Sequence, residues 1–248
     1  MLKSIAVTFS VLATATVARS GFELYKSEKL LSDNIQLRDW PDWPNVTIPE
    51  NFRIDFSVNH VNNETHQLEQ IKNTTAYQYI DSIGNREMTV VSTLSDDGQS
   101  LQNLSFFYNC SSGIVTYNVF ETNQCFYTDL QQTVDLQQYI KMVNDPNEHI
   151  NFYAGRVRLP YAEEWLNQFI LYISTPQGMI YENMFFSEED NQLKYIYLES
   201  DQDTVYKTEG LVEQIFTDED FAGYEICDQS TIQSTFATGS FPRMFLLH

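Results

Sequence analysis

The chain has 248 residues, with 14 Lys+Arg against 34 Asp+Glu and a formal net charge of −20. A surface of that sign repels phosphate backbones and anionic membranes, which argues against nucleic acid as a partner, and it offers many carboxylates to Ca²⁺ or to water. With 15 Tyr and 17 Phe, the chain carries enough bulk for one large β domain or two small ones.

Residues 1–20, MLKSIAVTFSVLATATVARS, read as a secretory signal peptide. Lys3 sits in a short basic start, an apolar run extends from Ile5 to Ala18, and small residues lead to a cut near Ser20–Gly21. That run is short for a membrane span, which needs about 20 apolar residues, and no later segment qualifies. Lys3 and Arg19 leave with it and no acid does, so the mature chain of about 228 residues carries −22 instead of −20. Residues 21–50 form an extended lead-in ending in DWPDWPNVTIP, where Pro41, Pro44 and Pro49 exclude a helix. Trp40 and Trp43 either pack on the domain or form a carbohydrate-binding pair.

From Asn51 the pattern has period two. In NFRIDFSVNH the residues Phe52, Ile54, Phe56 and Val58 alternate with polar ones, as in a half-buried strand. TAYQYID turns through SIGN into REMTVVST, with Gly84-Asn85 as the positive-φ pair of a tight hairpin. NLSFFYN turns through Cys110-Ser-Ser-Gly113 into IVTYNVFE, and QCFYTDL adds a short strand. QQTVDLQQYIKMV, residues 131–143, is the best helix, ended by Pro146. Then come NFYAGRVRLPY, NQFILYIST, a Pro176-Gln-Gly178 turn, MIYENMFFS, the acidic turn SEEDN, LKYIYLES, the turn DQDT, and VYKTEGLVEQIF as strand or short helix. About nine closely spaced strands predict a mostly β protein whose antiparallel sheet curls around its contents.

Five sequons, at Asn45, Asn63, Asn73, Asn103 and Asn109, fit a glycosylated, secreted or lumenal chain. Three cysteines, Cys110, Cys125 and Cys227, make an odd count, and at least two should pair in an oxidising compartment. Four scattered histidines build no zinc pattern. No GxSxG motif, phosphate loop or persuasive general base is present, and no spacing selects a carboxylate pair for glycoside hydrolysis. The inner face of a curved sheet becomes either packed core or a cavity for an apolar ligand. Phe56, Tyr79, Val90, Tyr117, Val119, Phe169, Leu171, Ile180, Met184 and Phe186 are the candidates to line it.

The order of these features resembles the ependymin-related family of secreted glycoproteins over about residues 50–228. The likeness rests on Tyr79-Ile-Asp81-Ser-Ile-Gly-Asn85-Arg86, Phe106-Phe-Tyr108, Gly113, Tyr117 and Gln124-Cys125. It continues in Trp165, Tyr172, Tyr181-Glu182-Asn-Met-Phe185, Phe216, Phe221 and a closing Cys227. The family usually has more cysteines, and Gly178-Met-Ile stands where one is expected before Tyr181. The resemblance implies two stacked antiparallel sheets in a curved half-barrel, similar to bacterial lipoprotein carriers. It also implies a deep hydrophobic pocket, Ca²⁺ association and no catalysis.

The expected domain layout is a signal peptide over 1–20, a lead-in over 21–50, the half-barrel over 51–228 and a tail over 229–248. The expected bridge joins Cys125 to Cys227, closing a loop of about 100 residues and restraining the unfolded chain by roughly 4–5 kcal/mol. Its rival is Cys110–Cys125, since strands leaving a turn return close together. The third thiol is then buried and inert or used between chains, which leaves a homodimer open. Clustered carboxylates in turns, Asp96, Asp97, Glu188, Glu189 and Asp190, are the Ca²⁺ candidates. The leading function is binding of a lipid or other hydrophobic small molecule, outside cells or in a lysosome-like lumen. The alternatives are a hydrolase using a carboxylate pair and a matrix or adhesion glycoprotein with a fully packed core.

Overall fold

The computed structural model describes residues 43–62, 64–95, 98–129, 133–148, 150–175, 178–198, 201–224 and 227. The signal segment, Trp40 with most of the lead-in, Asn63, Asp96, Asp97, Pro176-Gln177 and the tail over 229–248 lie outside the described residues.

Alternation of apolar and polar residues yields eleven strands. They are β1 (Asn51–Val61), β2 (Leu68–Asp81), β3 (Arg86–Leu94), β4 (Leu101–Asn109), β5 (Ile114–Val119), β6 (Gln124–Asp129), β7 (Asn151–Val157), β8 (Leu166–Thr175), β9 (Gly178–Ser187), β10 (Leu193–Leu198) and β11 (Asp201–Glu213). All pair antiparallel in one sheet, in the order β6-β5-β4-β3-β2-β1-β11-β10-β9-β8-β7. The expected mostly β, curved architecture is present, but its two layers are the two wings of a single open sheet. Neighbouring hairpins account for every pairing except β1 with β11, which joins the wings at the centre.

The curvature is strong. Ile80 on β2 and Leu171 on β8 line one cavity, although five strand spacings would set them about 24 Å apart in a flat sheet. The helix α1 (Leu136–Asn144) lies in the hollow thus formed, burying Leu136, Tyr139, Ile140 and Val143 at helical spacing. Asp135 caps it, its side chain accepting from Gln138 N at 2.9 Å, and Asp145, extended ahead of Pro146, ends it. The helix therefore starts five residues later than residues 131–143 predict. Asn144 fastens its end to the lead-in, accepting from Ile48 N and donating to Ile48 O, each at 2.8 Å.

Two further expectations are corrected. DQDT is no turn, since Asp201 already pairs with Leu198 at the start of β11; of the two readings of VYKTEGLVE, strand is the one found. In the β2–β3 connection only Asn85 has positive φ, 50°. Gly84 is required for space instead, because a Cβ there would meet Asp81 Oδ2 at 2.3 Å.

That connection, DSIGNR, is a junction. Asp81 accepts from Gly84 N and Arg86 Nε, both at 2.9 Å. Arg86 reaches onward to Asp218 at 2.9 Å and lies 4.1 Å from the Phe221 ring centroid. Asn85 donates to Val134 O at 2.8 Å and Ser111 Oγ at 2.9 Å, and accepts from Leu136 N at 2.9 Å. One short turn thus aligns the β4–β5 turn, the start of α1 and the segment that follows β11. Asn85→Ala removes three hydrogen bonds and leaves backbone groups unpaired, so a loss of about 2–3 kcal/mol in urea unfolding is expected. A loss below about 0.5 kcal/mol would show that the junction holds nothing.

The segment after β11 folds back over the convex side of the first wing. Phe221 is fully buried there among Met88, Val90 and Phe107, with Tyr77, Tyr79, Phe216 and Tyr224 around it. Its end is tied to β6 by the Cys125–Cys227 disulfide, the expected pairing, with Cα atoms 5.4 Å apart. Cys110 is the remaining thiol and is fully buried. Burial pushes its pKa up, with the charge of Glu87 acting in the same direction.

Candidate functional site

Period two in the strands places Ile54 and Phe56 of β1, Gln78 and Ile80 of β2, and Glu182 and Met184 of β9 on the concave face. Leu193, Ile196, Tyr206 and Leu211 join them from β10 and β11. Tyr139, Ile140 and Val143 of α1 roof the space, and Ile48 and Phe52 stand at its side. Apart from Gln78, Glu182 and two tyrosine hydroxyls the lining is apolar. The cavity holds about 90 Å³ and is partly open to solvent.

Polar atoms inside this core are short of partners. Of five buried side-chain atoms described as unpartnered, four belong to Glu87 (Oε2), Thr89 (Oγ1), Tyr139 (OH) and Glu182 (Oε2). Glu87 and Thr89 share the face of β3 that carries Val91 in the main core, and their partners across the ladder are Ile80 and Gln78. Desolvation raises both carboxyls to about 8, so both are protonated at neutral pH. Tyr139 lies close enough to feel Glu182 and then Glu87, and burial, the larger cause, pushes its hydroxyl up.

The residues predicted to face inward divide. Phe56, Leu171 and Met184 line the cavity. Phe169 and Phe186 are in the same core without lining it, and Tyr117 packs at its side, stacked on Phe106 at 4.8 Å between ring centroids. Val119 is half-buried on β5, and the Ile180 side chain is outside the described set. Tyr79 and Val90 belong to the opposite face. Their strands are apolar on both sides because the returning segment covers the convex one, so apolarity alone could not tell inside from outside. Trp43 packs on the core, its ring 5.0 Å from Phe169, which fits packing better than exposed sugar binding.

Of the Ca²⁺ candidates, Glu188 pairs with Arg156 and Asp190 with Lys194 at 2.9 Å, while Glu189 N donates to Ser187 Oγ. Among the described residues no group of three His, Cys, Asp or Glu side chains is placed to hold a metal ion. Asn45, Asn73 and Asn109 are exposed and Asn103 is half-buried. A second hollow of about 300 Å³ lies on the convex face by Asp55, Ser57, Tyr77, Ser92 and Glu209. Phe56, Ala76 and Val90 make its lining mixed, and the Asp55 carboxylate is held by both Nε and Nη2 of Arg53 at 2.7 Å.

Sequence reasoning missed Glu87, Tyr139 and Glu182. The signal was present in phase: Glu182 alternates with Met184 and Phe186, and Glu87 with Thr89 and Val91, so an acid stands where the pattern demands a buried residue. Among the described residues no helix is long and apolar enough to cross a membrane. No family model matches the chain, and no curated protein matches it.

Proposed function

We propose that the protein is a secreted or lumenal glycoprotein of the ependymin-related kind that carries an apolar or amphipathic small molecule between its curved sheet and α1. The observation that supports this most is the apolar cavity under a nine-residue helix. Its volume of about 90 Å³ is less than the ~150 Å³ of a cavity that admits benzene. Uptake of a long chain therefore requires α1 to lift. Each buried methylene contributes about 0.8 kcal/mol, so ten give micromolar affinity before the cost of lifting the helix. Calcium association belongs to the same reading, and equal melting temperatures in chelator and in millimolar Ca²⁺ would remove it.

A hydrolase with paired carboxylates is the second reading, since Glu87 and Glu182 are both near Tyr139. Hydrolysis by such a pair needs one acid ionised and the other protonated. Here the same cause lifts both to about 8, which favours binding over catalysis. A fully packed core, as in an adhesion glycoprotein, is the rival that uptake must exclude.

The test is titration with a fluorescent phospholipid, then analysis for released product. Saturable binding without product is expected. Leu211→Asp, half-buried at the cavity, should weaken it at least tenfold, while Val212→Asp, whose side chain is 56% exposed, should not. Absence of saturable binding would overturn the carrier, and steady product release would replace it with an enzyme.

A further inference from the structure

The interior is apolar but not neutral in its chemistry. Four unpartnered polar atoms sit in it, and two of them are carboxyl oxygens. Glu182 and Tyr139, each 5% exposed, both line the cavity itself. Against them stands no cation: among the described residues no buried lysine, arginine or histidine is found. Orphaned buried groups cost free energy unless something meets them, and here the unmet groups can accept a hydrogen bond into the space a ligand would fill.

A carboxylate head would find no positive charge there, only the Glu182 carboxyl and two tyrosine hydroxyls among the polar groups. An alcohol would satisfy one or two oxygens with neutral hydrogen bonds. An ammonium head brings three donors and a charge, and charge-assisted bonds are about twice as strong as neutral ones.

Resting on the reading that this cavity takes a ligand, we propose that the ligand is an amphiphile with a primary amine head, received by Glu182 with Tyr139 beside it. The volume of about 90 Å³ suits the head and first carbons, and the chain follows under α1. The titratable groups that line the cavity with Glu182 are Tyr139 on α1 and Tyr206 on β11, and Glu87 on β3 acts on Tyr139. An ammonium entering from water converts Glu182 to its carboxylate, and the carboxyl proton leaves to solvent. One proton is therefore released for each amine bound. Above about pH 8, where Glu182 has already ionised, that release disappears.

Calorimetric titration of the full chain with decylamine, decanol and decanoic acid at pH 7 tests this. Decylamine should bind at least tenfold more tightly than decanol, and decanoic acid most weakly. Repeating the decylamine titration in two buffers of different ionisation enthalpy should count about one proton released, and decanol none. Glu182→Gln, checked for an unchanged circular dichroism spectrum, should lose both the tenfold preference for decylamine over decanol and the released proton. The wild-type ranking and proton count need no variant. If decanol binds as well as decylamine, or decanoic acid binds best, the inference fails and the carrier reading stands. If none of the three binds, both fail.

Discussion

The melting temperature should fall by about 10–20 °C between pH 5 and pH 9. Glu87 and Glu182 hold their protons up to about pH 8 in the folded chain, because both are desolvated, against about 4.3 when unfolded. Between those values the native state binds more protons than the unfolded one, so stability falls as pH rises. The stabilisation is complete below the unfolded value and gone once pH has passed the folded one. Each acid accounts for up to about 5 kcal/mol. The exposed acids responsible for the charge of −20 are ionised throughout this window and cannot produce the slope. Unfolding measured across the window in wild type and in Glu87→Gln/Glu182→Gln checks the origin: the double variant should show a flatter profile and melt higher at pH 9. A wild-type profile that is level or rises toward pH 9 would mean that the two acids are not buried as protonated groups.

The second large effect concerns the disulfide. Cys125→Ser/Cys227→Ser should lower stability by about 4–5 kcal/mol, the entropy of closing a loop of 102 residues. Its structural consequence should be local first. The segment carrying Phe216 and Phe221 would keep the Arg86–Asp218 pair, whose acid is 95% exposed and so contributes little. Release of that segment uncovers Met88, Val90 and Phe107 on the convex face. Urea unfolding should show the drop in midpoint, and a hydrophobic dye should bind the variant in native buffer. A midpoint unchanged by the double substitution would mean that burial of Phe221 alone holds the segment.

Much of the fold was legible because strands that bury one face announce themselves by alternation. NFRIDFSVNH is of that kind, burying Ile54, Phe56 and Val58, and it became a strand where expected. What could not be read was the side on which a doubly apolar strand is buried. In β2 and β3 both faces are covered, one by α1 and one by the returning segment, so Tyr79 and Val90 were placed on the wrong side. Nor could local pattern tell one continuous sheet from two, since the β1–β11 pairing joins residues some 150 positions apart, such as Asn59 and Val205. The site was the least legible part. Its acids are far apart in sequence, and each looks like an ordinary polar residue until its phase within the strand is counted.

The strand order has a mechanical consequence. The two free rims of the sheet, β6 and β7, are consecutive in the chain, and α1 lies between them. The gap between the rims is thus bridged by one covalent strap from Asp129 to Asn151, with a rigid rod in its middle. Any widening of the gap is limited by the strap, whose rod is held at its start by Asn85 and at its end by Ile48. Aperture and strap length are therefore one variable. Residues added on either side of α1 would widen the range over which the mouth can open, with no change to the cavity wall.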